Sequence, residues 1–241
     1  MEQQPQNNNT PGTQPPPAAP MPASWTASDT WLGLFLLVLS IFVYVLAISL
    51  VGDSQNTGIF FVATFEFILL IPIAIIFSLR KVRWVELGLR GFNRNNLALG
   101  CGLLAAVYFI VIINNLIMVA LGIVTQADIL SEILGELDSP LLFVFVTVIV
   151  APFTEELFFR GFLFKGLREK YGWINALMFS SIIFALFHGQ IATLIPTFLI
   201  GALFAYMYQR TESVYPGMLL HFTINAVGAL ILFFANQFGA L

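Results

Sequence analysis

The chain is poor in charge. Aspartate, glutamate, lysine and arginine make up only 10% of its 241 residues, whereas 59% are hydrophobic. A soluble domain carries about 25% charged and about 45–50% apolar residues. The shortage of charge therefore excludes an ordinary soluble domain. It predicts an integral membrane protein whose solvent is the lipid bilayer, and we expect no nucleic-acid partner.

Cysteine and histidine are also scarce. The single cysteine, Cys101, excludes an internal disulfide and any metal site built from several cysteines. It lies in an apolar run and is expected to pack as a small hydrophobe. Only two histidines, His188 and His221, are available for chemistry. We expect no bound cofactor and no metal ion.

Basic residues are missing from the first part of the chain. Residues 1–29 are dominated by Pro, Gln, Asn and Thr and contain no Lys or Arg. A segment with so little apolar surface cannot support a fold, and we predict a disordered cytoplasmic tail. The missing positive charge also indicates that this segment is not a signal peptide.

Long hydrophobic runs fill the rest of the chain. Because a backbone in lipid must satisfy its own hydrogen bonds, each run is expected to be helical. The predicted fold class is all-α, a polytopic transmembrane helical bundle of about seven spanning helices within residues 30–240. The seven apolar segments are residues 30–51, 58–79, 96–123, 140–169, 173–188, 190–209 and 214–237.

Positive charge is confined to alternate connections between these segments. Lysine and arginine concentrate on the cytoplasmic side of a membrane, so seven spans place nine basic residues and the N-terminus in the cytoplasm. The loop before the fourth segment, which has four acidic residues and no basic one, is expected outside. The nine basic residues are Arg80, Lys81, Arg83, Arg90, Arg94, Lys165, Arg168, Lys170 and Arg210.

Apart from the charged end of the fourth segment, six acidic, basic or histidine side chains lie inside the apolar segments. Such a group is costly in a membrane, so by default it faces the protein interior and indicates function. For Glu66 we expect instead a hydrogen bond to Asn114 or Asn115 and no catalytic role. The six residues are Glu66, Glu155, Glu156, Arg160, His188 and His221.

The fourth segment contains the sequence APFTEELFFRGF, residues 151–162. Glu156 and Arg160 are four residues apart on one helix face, in the favoured order of acid before base, and are predicted to form an ion pair. Glu155 is turned by about 100° and has no dedicated cation, which favours a role as general base. Pro152 removes one backbone hydrogen bond and predicts a kink, consistent with a cavity.

The histidines follow on later helices. His221 and Asn225 are four residues apart, and two hydrogen-bond donors on one face can bind the oxyanion of a tetrahedral intermediate. They can equally act as hydrogen-bonding contacts between helices. His188 ends the fifth segment, where it can share a water molecule with Glu155.

Together these motifs resemble those of the CAAX prenyl endopeptidase-like family, also called the CAAX protease and bacteriocin-processing (Abi) family of intramembrane proteases. The resemblance covers about residues 140–230, which would form the catalytic core. The matching motifs are Glu155-Glu156-x-x-x-Arg160, Phe184-x-x-x-His188 and His221-x-x-x-Asn225.

The resemblance implies a glutamate-type intramembrane endopeptidase. Its partner would be a peptide or protein substrate in the bilayer, of the prenylated or leader-peptide type, and the short chain resembles prokaryotic members in a cell membrane. The first glutamate would activate water with help from the first histidine, and the last motif would bind the oxyanion. Carried over by position, the catalytic residues are Glu155, His188, His221 and Asn225, supported by Glu156 and Arg160.

If their helices stood upright in the membrane, the two histidines would lie at different depths and would not meet. At about 1.5 Å per residue, His188 lies about 22 Å from the start of its helix, but His221 only about 10 Å from the start of its own. The fifth segment must therefore tilt, begin deeper, or end at a turn within the membrane. Gly189 permits such a turn.

Two alternatives remain open from the sequence. Two histidines and a glutamate form an acceptable catalytic zinc set, although there is no HExxH motif and Asn225 is a poor zinc ligand. The second alternative is a protein that is not an enzyme, either a proton-coupled transporter or a binding partner of the bacteriocin-immunity type.

Overall fold

A computed structural model describes residues 21–51, 55–126, 128–130 and 140–237. Most of the predicted tail lies outside the described residues. So do three of the four acidic residues of the loop before the fourth apolar segment, at positions 132, 136 and 138.

The described elements are all helical, which confirms the predicted fold class. The second apolar segment is divided into α2 and α3 by a short 3₁₀ helix, Phe65–Leu69. The helices are α1 (Ala27–Val51), α2 (Gln55–Thr64), α3 (Leu70–Arg80), α4 (Arg94–Ala120), α5 (Pro140–Tyr171), α6 (Trp173–Phe187), α7 (Leu194–Thr211) and α8 (Tyr215–Gln237).

The predicted number of about seven spanning helices agrees roughly with the structure. Within the described residues, five helices are long and apolar enough to cross a membrane: α1, α4, α5, α7 with the 3₁₀ turn before it, and α8. Helix α6 is apolar but shorter, with 15 residues. The two other predicted segments, the fifth and the second, correspond to α6 and to the divided pair α2–α3.

The core lies around α5. Half of the apolar window of α5 is buried, against 6% for α1 and for α4, so α5 is central and the other two are peripheral. Phe158, Phe159, Phe162 and Phe164 are completely buried. Aromatic packing thus holds the helix that carries the glutamate pair.

Helix α1 begins three residues before its predicted start. Thr26 and Asp29 exchange hydrogen bonds at the first turn, and this local cap starts the helix at Ala27. Just before it, Trp25 is buried and stacks on Phe162, with ring centroids 5.7 Å apart. The predicted boundary at residue 29 therefore falls inside the first turn of α1.

Polar residues tie the helix ends together at one end of the bundle. Arg168 at the end of α5 binds Glu212 just after α7, at 2.6 and 2.7 Å. Lys165 Nζ donates to the carbonyl oxygen of Glu86 at 2.6 Å. Arg80 at the end of α3 binds Asp29 at the start of α1 at 2.7 Å. We call these residues the bundle-end cluster: Asp29, Arg80, Glu86, Lys165, Arg168 and Glu212.

Candidate active site

The glutamate pair lies on a short α-helical stretch, Ala151–Glu156, between two π-helical stretches of α5, Val146–Val150 and Leu157–Phe164. In a π-helix each N–H bonds to the carbonyl five residues earlier. Ala151 N accordingly donates to the carbonyl of Val146. The next position is Pro152, which has no N–H, and the carbonyl of Thr147 is therefore left without its helical partner.

Asn225 supplies that partner. Its Nδ2 donates to the carbonyl oxygen of Thr147 at 2.7 Å, which joins α8 to the irregular part of α5. The carboxamide has two N–H bonds, so one donor of Asn225 is not used by Thr147. The residue thus has a structural contact, and it retains the second donor that an oxyanion role requires.

Glu156 and Arg160 are both completely buried. Arg160 Nη1 donates to Glu156 Oε1 at 2.7 Å, and Nη2 donates to the carbonyl of Gly201 at 3.2 Å. The guanidinium lies over the ring of Phe184, with its carbon 4.2 Å from the ring centroid. The ion pair expected from the four-residue spacing is present in the structure.

Two glycines make room for this pair. A Cβ atom at Gly217 of α8 would lie 2.5 Å from Glu156 Oε2, and one at Gly201 of α7 would lie 3.3 Å from Arg160 Nη2. Real Cβ atoms do not approach other atoms as closely as the first distance. The close contact of α8 with Glu156 therefore depends on glycine at position 217.

Glu155 is the carboxylate without a cation of its own. It is 6% exposed, and its Oε2 has no hydrogen-bond partner. The nearest basic nitrogen is Nε2 of His221 at 3.8 Å, which is beyond hydrogen-bond distance. Because no cation or hydrogen bond occupies Oε2 of Glu155, this oxygen is available to accept a proton.

His221 lies between the two glutamates. Its Nδ1 is 3.5 Å from Glu156 Oε1, and its ring packs on Phe184 and Phe204 at 6.0 and 5.3 Å between centroids. Nδ1 is buried without a hydrogen-bond partner. The imidazole ring thus lies between the ion pair and the carboxylate of Glu155.

His188 ends α6, and the predicted turn follows it: Gly189 has a φ of 67°, in the left-handed region. His188 Nδ1 lies 2.9 Å from the carbonyl oxygen of Phe184. Because a carbonyl only accepts, Nδ1 carries the hydrogen and Nε2 of the neutral ring is an acceptor. The ring is 4.7 Å from that of Phe184, which also contacts His221. The turn therefore ends α6 where His188 can join the site.

The structure corrects the expectation for Glu66. Asn114 donates to the carbonyl of Ala192 at 2.8 Å and not to Glu66. The 3₁₀ helix of Glu66 packs instead against the Ala151–Glu156 stretch. Glu66 lies beside Thr154 and within electrostatic range of Glu155, and its Oε2 is buried without a partner. No spacing rule links residue 66 to residue 155, and its ionisable side chain in an apolar run was the only available signal.

A metal site is not evident in the described ranges. Among those residues, no group of three or more His, Cys, Asp or Glu side chains is arranged to hold a metal ion.

Comparison with known proteins supports the family inferred from the motifs. Residues 137–227 match the family described as Type II CAAX prenyl endopeptidase Rce1-like. The match includes every residue of the three motifs, and its limits are close to those of the resemblance, about residues 140–230. The resemblance read from the sequence is thereby confirmed for this part of the chain.

Two curated proteins are similar to the chain. The protein named "Putative membrane peptidase YdiL" from Bacillus subtilis (strain 168) is 31% identical over 104 residues, which are 43% of this chain and 43% of that protein. The UPF0177 protein YxdF from Lactococcus lactis subsp. lactis (strain IL1403) is 28% identical over 134 residues, 52% of this chain and 73% of that protein. The chain thus matches less than half the length of the first relative. No solved structure matches.

Proposed function

Starting from the kinship of residues 137–227 with Rce1-like CAAX prenyl endopeptidases, we propose that the chain is an intramembrane endopeptidase that hydrolyses a peptide bond with a water activated by Glu155. The observation that carries the proposal is the buried carboxylate of Glu155. It has no cation of its own, and it lies 3.8 Å from His221, which packs on the same Phe184 ring as His188.

In the proposed reaction, water binds between Glu155 and Nε2 of His188. Glu155 takes a proton from the water while the water oxygen attacks the carbonyl carbon of the peptide bond. The electrons of the C=O double bond move to the carbonyl oxygen, which becomes the oxyanion. When the C–N bond breaks, the proton on Glu155 passes to the leaving amine nitrogen. General acid–base catalysis of this kind contributes about 10²–10⁴-fold to a rate.

The developing oxyanion would be bound by His221 and by the free N–H of Asn225. These groups are four residues apart on one face of α8, and Asn225 is held in place by its bond to Thr147. A fixed donor needs no reorganisation when the negative charge appears, and one such donor is worth about 10²–10³-fold. The Glu156–Arg160 pair would position His221 from its other side.

The decisive test compares membrane proteomes of cells with the wild-type chain and with Glu155→Gln for changed peptide termini. We expect a set of termini that disappears in the variant while protein level and thermal stability are retained. Glu169→Gln is the matched control, since Glu169 lies on the same helix but binds the backbone of Ala23 outside the site. Identical termini in wild type and Glu155→Gln would contradict the proposal.

The zinc-dependent version predicts a different result. Purified protein would contain stoichiometric zinc, and a chelator would abolish cleavage until zinc is restored. In the water-activated version, cleavage persists in the presence of the chelator.

A second candidate function is proton-coupled transport or binding of a membrane partner without cleavage. The closeness of Glu66 to Glu155 favours it, because paired carboxylates inside a membrane also form proton relays. It predicts proton flux that depends on both glutamates and no change in any peptide terminus.

We place the chain in a prokaryotic cell membrane with a cytoplasmic N-terminus, and the substrate of the proposed peptidase in the prenylated or leader-peptide class.

A further inference from the structure

The connection between α3 and α4 carries charge that the proposed reaction does not use. Helix α3 ends at Lys81, whose φ of 55° lies in the left-handed region and turns the chain away from the helix. Val82 is then buried, and its N–H donates to the carbonyl of Phe77 at 2.9 Å. A 3₁₀ turn, Trp84–Leu87, follows. The side chains of this connection point to two sides, and the two sides differ in chemistry.

The inner side of the connection is fixed to the bundle. Leu87 is completely buried against Gly161 of α5, where a Cβ atom would lie 2.7 Å from the carbonyl oxygen of Leu87. The buried Lys165 Nζ donates to the carbonyl of Glu86 at 2.6 Å. These contacts hold the connection in one position, so its outer side chains are presented without a large cost of ordering.

The outer side combines bare cations with an exposed aromatic ring. Lys81 and Arg83 are exposed, and among the described residues neither has an ion pair or a side-chain hydrogen bond. Trp84 is 41% exposed although it is large and mostly apolar. The one acidic residue of the 3₁₀ turn, Glu86, has its carboxylate bonded to the hydroxyl of Ser24. The outer side is therefore positively charged and partly apolar.

The exposed aromatic ring continues an apolar stripe of α3. Ile71, Ile75 and Leu79 recur at every fourth position and are all exposed, whereas the opposite face of α3 is buried. Because the bilayer is the solvent of this chain, such a stripe faces lipid. Trp84 packs on Phe77 in the same half of α3, with ring centroids 5.9 Å apart. Tryptophan is enriched where the hydrocarbon meets the headgroups, and this position at the end of the stripe fits that level.

We propose that Lys81, Arg83 and Trp84 form a binding surface for the headgroup of an anionic phospholipid. The two cations attract the phosphodiester, while the indole ring lies at the boundary between headgroup and acyl chains. An acidic protein segment would match the charge as well, but the continuity of Trp84 with the apolar stripe of α3 favours lipid. The inference is independent of the proposed peptidase function and uses none of its residues.

Quenching of tryptophan fluorescence by brominated lipids tests this surface. The full-length protein is reconstituted in phosphatidylcholine vesicles in which part of the lipid is replaced by phosphatidylglycerol brominated on its acyl chains. A parallel series uses brominated phosphatidylcholine. Because the chain has 4 tryptophans, the contribution of Trp84 is taken as the difference between wild type and Trp84→Phe. At about fivefold per cation, we expect the phosphatidylglycerol to quench Trp84 at a mole fraction about 25-fold lower than the phosphatidylcholine.

Variants without charge separate this surface from the general field of the protein. Lys81→Gln and Arg83→Gln should each reduce the preference for phosphatidylglycerol about fivefold, and the double variant should remove it. Arg210→Gln is the matched control, since it removes an exposed positive charge whose guanidinium is bonded to Asn96 and Tyr206. It should leave the preference unchanged.

Salt tests the same attraction without any substitution. Raising the ionic strength from about 0.15 M to about 1 M shortens the Debye length from about 8 Å to about 3 Å, so the preference of the wild type should fall. Thermal unfolding of each variant should match the wild type, because both replaced side chains are exposed.

Three results would overturn the inference. Equal quenching of wild-type Trp84 by the two brominated lipids would exclude a preference for the anionic headgroup. A preference that persists in the double variant would belong to other charges. Absence of Trp84 quenching by either lipid would show that the surface faces water or an acidic protein partner. None of these results bears on cleavage that depends on Glu155, so the peptidase function stands or falls separately.

Discussion

Two clusters of charge along α5 are built differently. In the bundle-end cluster, Arg168 binds both oxygens of Glu212 and also Gln209 and the carbonyl of Met21. In the site, the Oε2 atoms of Glu155 and Glu156 and Nδ1 of His221 have no hydrogen-bond partner. Arg168 is itself buried, so burial alone does not explain the difference.

The difference separates charges that hold the fold from charges that are available for chemistry. Leaving a buried polar atom unpaired costs free energy, and native structures rarely do so without a functional reason. The bundle-end cluster joins helix ends and satisfies its groups. The site keeps one ion pair, Glu156 and Arg160, and leaves other polar atoms of the site without partners.

The largest expected effect comes from breaking that ion pair. Arg160→Leu leaves Glu156 buried without its cation and the carbonyl of Gly201 without its donor, so the free energy of unfolding should fall by about 3–5 kcal/mol. Thermal and denaturant unfolding in detergent measure the loss. Adding Glu156→Leu should recover part of it, and no recovery would show that the pair is not the source of the stability.

The next largest effect concerns Asn225. In Asn225→Ala both amide hydrogens are lost, and cleavage should fall by about 10²–10³-fold, the typical effect of one oxyanion donor. The matched control is Asn114→Ala, which removes a buried amide bound to Ala192 on another helix. If cleavage falls equally in the two variants, Asn225 acts only as a contact between helices.

A smaller effect is expected for the glycine that faces Glu156. Gly217→Ala places a Cβ atom 2.5 Å from Glu156 Oε2, and overpacking of this kind costs about 1–3 kcal/mol. Gly228→Ala, on the same helix with nothing within 4 Å, is the control and should not reduce stability. The unfolding temperatures of the two variants compare them directly, and equal values would contradict the close contact.

The smallest effect should come from the bundle-end cluster. Arg168→Met breaks the ion pair with Glu212, whose side chain is 15% exposed and can regain water. The loss of stability should therefore be only about 1–2 kcal/mol, less than for a completely buried pair. Cleavage per folded molecule should be unchanged, and a selective loss of cleavage would remove the distinction between the two clusters.

Much of the site could be read from spacing along single helices. The Glu156–Arg160 pair follows from a separation of four residues, and the turn after His188 was anticipated from a depth mismatch and from Gly189. These inferences succeed because helix geometry relates residues close in sequence. The orientation of the bundle, the roles of the catalytic residues and the substrate class remain predictions.

Contacts between distant segments could not be read in this way. The carbonyl of Thr147 has no helical partner because the π-helical stretch is followed by Pro152, which has no N–H. Only the packed structure shows that Asn225 donates to this carbonyl instead. The prediction that Glu66 bonds to Asn114 or Asn115 was wrong for the same reason. Spacing along the sequence gives no basis for choosing between those residues of α4 and residues of α5 as its neighbours.

The sequence by itself determined the membrane class, the helical segments, the ion pair of α5 and the resemblance of residues 137–227 to a known family. The high apolar content indicates that the chain lies in a lipid bilayer, and the helical period of 3.6 residues decides which nearby residues share a helix face. Only the tertiary structure decided that the 3₁₀ helix of Glu66 packs against the stretch of α5 that carries Glu155, and that His188 and His221 share the ring of Phe184. Such meetings depend on how helices pack and where they are interrupted, which no spacing within one helix specifies.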